Sequence, residues 1–206
     1  MTIDTEDLIN SIMESLDRVR FINSDEIPNI PLYMDQVTTF MDEHLKATAR
    51  YKETDKILTK TMINNYAKND LLPPPEKKKY SREHILILIM IYYFKNILSI
   101  NDIQMLLNPL TEKYFGKESG GTIKDIYDEV MNMVFAQRET LKKDVKDKYE
   151  ETEKVFCNTK VFEDATEEDK EGLKNFAFIC MLSFDVYTKK LLIEKLLDGY
   201  ADKEDA

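Results

Sequence analysis

Along most of the chain, apolar residues recur at the three- and four-residue spacing of a helix face, and almost nowhere at the two-residue spacing of a half-buried strand. Over residues 4–21, Leu8, Ile9, Ile12, Met13, Leu16 and Val19 fall on one stripe and predict an amphipathic helix. Pro28 and Pro31 then require an extended link, because neither fits a helix interior. Val37, Phe40, Met41 and Leu45 predict a second helix over residues 34–48, and the polar run 49–56 has no apolar period and reads as a loop. Thr59 is suited to cap a short helix with Met62, Ile63 and Tyr66 on its buried side, ended by Asn69-Asp70.

Leu71 and Leu72 lead into Pro73-Pro74-Pro75, a stiff segment without backbone donors. Lys77-Lys78-Lys79-Tyr80 follows, and Ser81 is placed to cap a helix over residues 82–96. That helix is apolar on nearly every face from Ile85 to Phe94, as expected at the centre of a fold. A buried strand would give a similar run; the cap and the length favour a helix. Ser99 with Asp102 opens another, with Ile103, Leu106, Leu107 and Leu110 facing inward. Gly116 and Gly120-Gly121 are the clearest break. Thr122 with Asp125 caps a long helix through Ile126, Val130, Val134 and Phe135 that reaches toward Tyr149. Thr166 with Asp169 caps the last, whose stripe continues to Leu197 before a polar, frayed tail over 201–206. The expectation is an all-α, mainly helical fold: an N-terminal helix and linker (1–30), a central domain (31–115) and a C-terminal helical region (122–200).

Charge adds a polarity that the helix pattern does not show. The 206 residues carry a net charge of −10, which by itself argues against a generic nucleic-acid binder. Residues 56–95, however, hold eight basic and three acidic side chains, so that segment is at +5 and the remainder at −15. One face that meets a polyanion, on a protein otherwise kept soluble by negative charge, would produce this asymmetry; a chance basic cluster would as well.

The basic segment also holds side chains suited to reading DNA. On a helix starting near Lys60, the residues Lys60, Thr61, Asn64, Asn65 and Lys68 share the side away from Met62, Ile63 and Tyr66. Asn pairs bidentately with an adenine edge, Thr reaches a phosphate or a thymine methyl, and Lys neutralises phosphate. Lys77, Lys78 and Lys79, held beyond the prolines, have the character of a wing that grips the neighbouring backbone. The candidate DNA-contacting set is Thr59, Lys60, Thr61, Asn64, Asn65, Lys68, Lys77, Lys78, Lys79, Tyr80 and Arg82.

The order of a short polar helix, the exit Asp70-Leu71-Leu72-Pro73, a basic wing ending in Tyr80, and a helix start at Leu98-Ser99-Ile100 with Asp102-Ile103 resembles the winged helix-turn-helix of the MerR transcription regulators. The blocks LYMDQV, LTKTMINNY, LLPPPEKKKYSREHI and IYYFKNILSINDIQ resemble a bacterial family defined as a domain of unknown function (DUF1836), over roughly residues 25–110. The MerR likeness implies a DNA-binding transcriptional regulator. Two departures stand out: Asn65-Tyr66 replaces the arginine-tyrosine pair typical of the MerR helix, and the connection before Thr59 is long.

Other chemistry is sparse. Cys157 and Cys180 form no metal-binding spacing and read as buried thiols, and His44 and His84 as caps or surface residues. No phosphate loop, nucleophile elbow or zinc-protease motif occurs, so no enzyme and no cofactor are expected. The polar start suggests no signal peptide and the apolar runs are too short to span a bilayer, which gives a cytoplasmic expectation. The stripes through Ile123, Ile126, Val130 and Val134, and from Leu173 to Leu197, either form a homodimer or bury one another within one chain. Met105, Met131, Met133 and Met181 read as core rather than as an effector pocket. The alternative to double-stranded DNA is an acidic protein partner docked on the same basic face, which would make the protein an interaction module.

Overall fold

The structure, a computed structural model, describes residues 9–11, 13–14, 21–118, 120–155, 162 and 164–204. It is mainly helical with two short strands, as the periodicity predicts. The elements are β1 (Leu32–Tyr33), α1 (Met34–Leu45), α2 (Lys60–Lys68), β2 (Lys79–Tyr80), α3 (Arg82–Phe94), α4 (Ile100–Tyr114), α5 (Ile123–Ala136), α6 (Arg138–Val155) and α7 (Glu167–Glu204), with single 3-10 turns at Ser24–Glu26 and Lys46–Thr48. The expected helix over 4–21 lies mostly outside the described residues; its described positions, 9–11 and 13–14, are helical. Among the described residues no helix is long and apolar enough to cross a membrane.

The chain divides into two compact units, residues 18–133 with 196–206, and residues 1–17 with 134–195. In the first, α3 is the central element. Every residue from His84 to Tyr92 is buried, because Ile, Leu, Met and Tyr occupy all sides of this helix and each side needs a partner. Val37 and Met41 of α1, Ile63 of α2, and Ile103 and Leu107 of α4 are buried with it. Lys95, just past α3, donates from Nζ to the Ile57 carbonyl at 2.8 Å and so pins the polar loop to this core. β1 and β2 pair antiparallel, with Leu32 opposite Tyr80 and Tyr33 opposite Lys79.

The glycines at 116, 120 and 121 have positive φ and turn the chain, but they do not end this unit. It continues through residue 133, because Ile123 and Tyr127 of α5 are fully buried in it. The long helix expected from Thr122 toward Tyr149 is two. The Gln137 N–H turns back to Val134 at i−3, and the Gln137 carbonyl starts α6 by accepting from Leu141. Neither Gly nor Pro marks that break. The tail expected to fray is helical through Glu204.

In the second unit, Val145 and Tyr149 of α6, Phe178 of α7 and Ile9 form a small core, with Met13 and Leu182 against it. Lys148 pairs with Asp144 and, at 3.1 Å, with Asp185. The expected Met core is only partial: Met105, Met131 and Met181 are half-buried and Met133 is exposed. Cys180 is half-buried and free; Cys157 lies outside the described residues.

Candidate nucleic-acid interface

The cap, the apolar side and the exit of α2 are each fixed by local chemistry. The Thr59 hydroxyl accepts the Met62 N–H at 3.1 Å, satisfying one of the orphan donors of the first turn. Ile63 and Tyr66 are buried, which leaves Lys60, Thr61, Asn64, Asn65 and Lys68 exposed on the other side. At the end, Asp70 adopts the left-handed region (φ 54°) and the Leu71 and Leu72 N–H groups both return to the Tyr66 carbonyl, at 2.9 and 3.3 Å. Burial of Leu71 and Leu72 then fixes where the triple proline leaves the helix.

Beyond the prolines the chain makes a tight hairpin. Lys77 and Lys78 have φ of 48° and 64°, and the Lys79 N–H donates to the Glu76 carbonyl at 2.8 Å, the pattern of a two-residue type I′ turn. Lys77 and Lys78 are therefore at the exposed tip. Lys79 pairs with Tyr33, and its ammonium sits 4.9 Å from the centre of the Tyr33 ring, a cation–π contact.

The junction of β1 and α1 links the two basic elements. Tyr33 supports Lys79 of the hairpin, while Asp35, two residues on, pairs with Lys60 at the start of α2. The start of α2 and the hairpin are thus both held at this junction, where Tyr33 is 53% exposed. Tyr33 and Asp35 are absent from the sequence-derived set. Tyr33 lies in a two-residue strand, too short to show a period and placed only by its pairing with β2, whereas Asp35, in the first turn of α1, is given its role only by its contact with Lys60.

Three residues of that set hold structural positions instead. Tyr80 is buried, edge-on to His84 at 5.5 Å, and burial raises its phenol pKa. Arg82 is half-buried and donates from Nη2 to the Ile27 carbonyl at 3.0 Å, tying the start of α3 to the segment before β1. The hydroxyl of Thr59 is occupied as the cap. The remaining members, Lys60, Thr61, Asn64, Asn65, Lys68, Lys77, Lys78 and Lys79, are exposed or, for Lys79, half-buried.

His84 sits beneath the hairpin. Its Nδ1 accepts the Ser81 N–H at 3.0 Å and lies 2.8 Å from the Ser81 hydroxyl, so Nε2 carries the proton of the neutral ring. Burial lowers its pKa, with the Pro74 and Pro73 carbonyls and Glu76 opposing. Phe115 stands edge-on to the ring at 4.8 Å, and a cleft of about 390 Å³ opens beside it toward Lys77 and Lys79. His44 is half-buried, its ring stacked on Phe40 at 4.1 Å, with Nδ1 2.9 Å from the Phe40 carbonyl and Nε2 4.0 Å from a Glu26 carboxylate oxygen.

An all-helical core carrying one short, basic β-hairpin defines the class of this domain. The chain belongs to the family described as a domain of unknown function (DUF1836), whose model matches residues 22–130. No curated protein and no solved structure matches it.

Proposed function

We propose that this domain is a winged helix-turn-helix of MerR type and that the protein is a cytoplasmic, non-enzymatic transcriptional regulator that binds double-stranded DNA. The supporting observation is that one junction holds both basic elements, Asp35 pairing with Lys60 of α2 and Tyr33 with Lys79 of the hairpin, while the rest of that α2 side and the hairpin tip are exposed. In this reading α2 lies in the major groove, where Asn64 and Asn65 reach base edges and Thr61 a phosphate or thymine methyl. Lys68, Lys77, Lys78 and Lys79 neutralise the flanking backbone, and Lys60 exchanges Asp35 for a phosphate. The fourteen residues between α1 and α2 are more than a tight turn, so the angle of α2 in the groove is set by this domain's own loop rather than by the MerR arrangement.

The test is a binding titration against duplexes from the protein's own promoter region and against a random duplex, with the parent and a Lys77→Glu, Lys78→Glu, Lys79→Glu variant. Tighter binding to one promoter duplex, abolished by the charge reversal, is the expected result. Equal, weak binding to both duplexes that survives the reversal overturns the reading and leaves an acidic protein as the partner to seek.

A further inference from the structure

Helix α7 is apolar on two opposite sides. One is in use: Phe178 is buried, stands edge-on to Tyr149 at 5.5 Å, and packs with Leu182 in the small core. The other carries Leu173, Phe176, Cys180, Phe184, Tyr187 and Leu191, spaced three and four apart, which at 3.6 residues per turn form one straight stripe about 27 Å long. Phe176 is 63%, Phe184 69% and Tyr187 58% exposed. A single exposed aromatic residue is ordinary; a continuous stripe of them marks a surface that meets another macromolecule.

We propose that the stripe pairs with the same stripe of a second copy of this chain, the two α7 helices running antiparallel. Charge selects both the partner and the direction. Residues 167–171, at the N-terminal end of the stripe, hold four carboxylates and one lysine, whereas residues 189–195, at its C-terminal end, hold three lysines and one carboxylate. A two-fold axis near residue 182 lays each acidic end along the basic end of the other copy and sets Leu173 opposite Leu191. A parallel pair would set like charge against like. The helix dipoles also oppose favourably in the antiparallel arrangement, and an isologous contact closes at two copies. The stripe has the three–four repeat that two packed helices need, with Phe184 of one copy against Cys180 of the other. This inference is independent of the DNA-binding reading, and either can fail without the other.

The experiment uses the full chain in two arms. Sedimentation equilibrium should give twice the chain mass for the parent and a monomer for Phe184→Glu with Tyr187→Glu, at unchanged far-ultraviolet helicity. In a Cys157→Ser, Cys180→Ser background, Leu173→Cys and Leu191→Cys chains should form a disulfide-linked dimer on oxidation when mixed, and not when either is alone. A parent that stays monomeric over the concentration range overturns the proposal, as does a dimer that the two glutamates leave intact. Cross-linking of Leu173→Cys with itself contradicts the antiparallel direction.

Discussion

The Tyr127 hydroxyl donates a 2.7 Å hydrogen bond to the Ile22 carbonyl, joining buried residues 105 positions apart. These residues stand near the two ends of the family-matched span, so the bond ties the start of the domain to its last helix. It also explains why the compact unit runs past the glycines into α5. Without that helix, Ile22 would lose its partner and the core would lose a buried aromatic ring.

Replacing Tyr127 by Phe keeps the ring and leaves the buried carbonyl unpaired, so stability should fall by about 1–3 kcal/mol. Urea denaturation checks this: the midpoint should drop with the slope unchanged. An unchanged midpoint would show that water reaches the carbonyl.

Thr59→Ala removes the cap of α2 and should cost about 1 kcal/mol, with Thr59→Ser restoring most of it. Thermal unfolding of the three proteins measures both steps. If Thr59 instead acts through its surface, the alanine variant will unfold at the parent temperature.

His84 gives the domain an acid limit. Burial holds its folded pKa below that of the unfolded chain, where the ring titrates at about 6.5. Above that value both states are neutral and its contribution is fully present. As the pH falls below it, the unfolded state takes up the proton first, and stability is lost down to the folded pKa. Chemical denaturation at neutral and mildly acidic pH should show this loss in the parent and a smaller one in His84→Gln.

Much of the first unit was legible in the sequence because its signals are local. Ser81, Ser99, Thr59 and Thr122 each stand just ahead of the helix expected from them, as Thr166 does in the second unit, and the apolar run from Ile85 identifies the central helix. What the sequence hid is set by tertiary contact. The break at Gln137 carries no Gly or Pro, and β1 exists only through its pairing with β2. Tyr80 and Arg82 belong to residue types that serve equally on surfaces and in half-buried contacts, so their basic, aromatic neighbourhood read as part of the interface until Leu32 and Ile27 gave them partners. Lys95 likewise counts in the +5 segment but is committed to the Ile57 carbonyl.

The hairpin allows fold and function to be separated. Lys77 and Lys78 occupy left-handed backbone that L side chains rarely adopt, and Asn-Gly is the preferred pair for such a turn. Lys77→Asn with Lys78→Gly should therefore keep the hairpin and match or exceed the parent stability by up to about 1 kcal/mol. Denaturant melts of the pair provide the check, and a clear loss of stability would show that the lysine side chains support the turn.

The most direct test of DNA binding is the salt dependence of affinity for one duplex, measured in parallel on the parent and on this Asn-Gly variant. If the five lysines contact phosphates, the parent should lose about five hundredfold in affinity between about 50 and 200 mM salt, and the variant, lacking two of them, should bind more weakly with a slope shallower by about 2. Identical affinities and slopes for the two proteins would contradict the account, because the hairpin would then lie outside the interface.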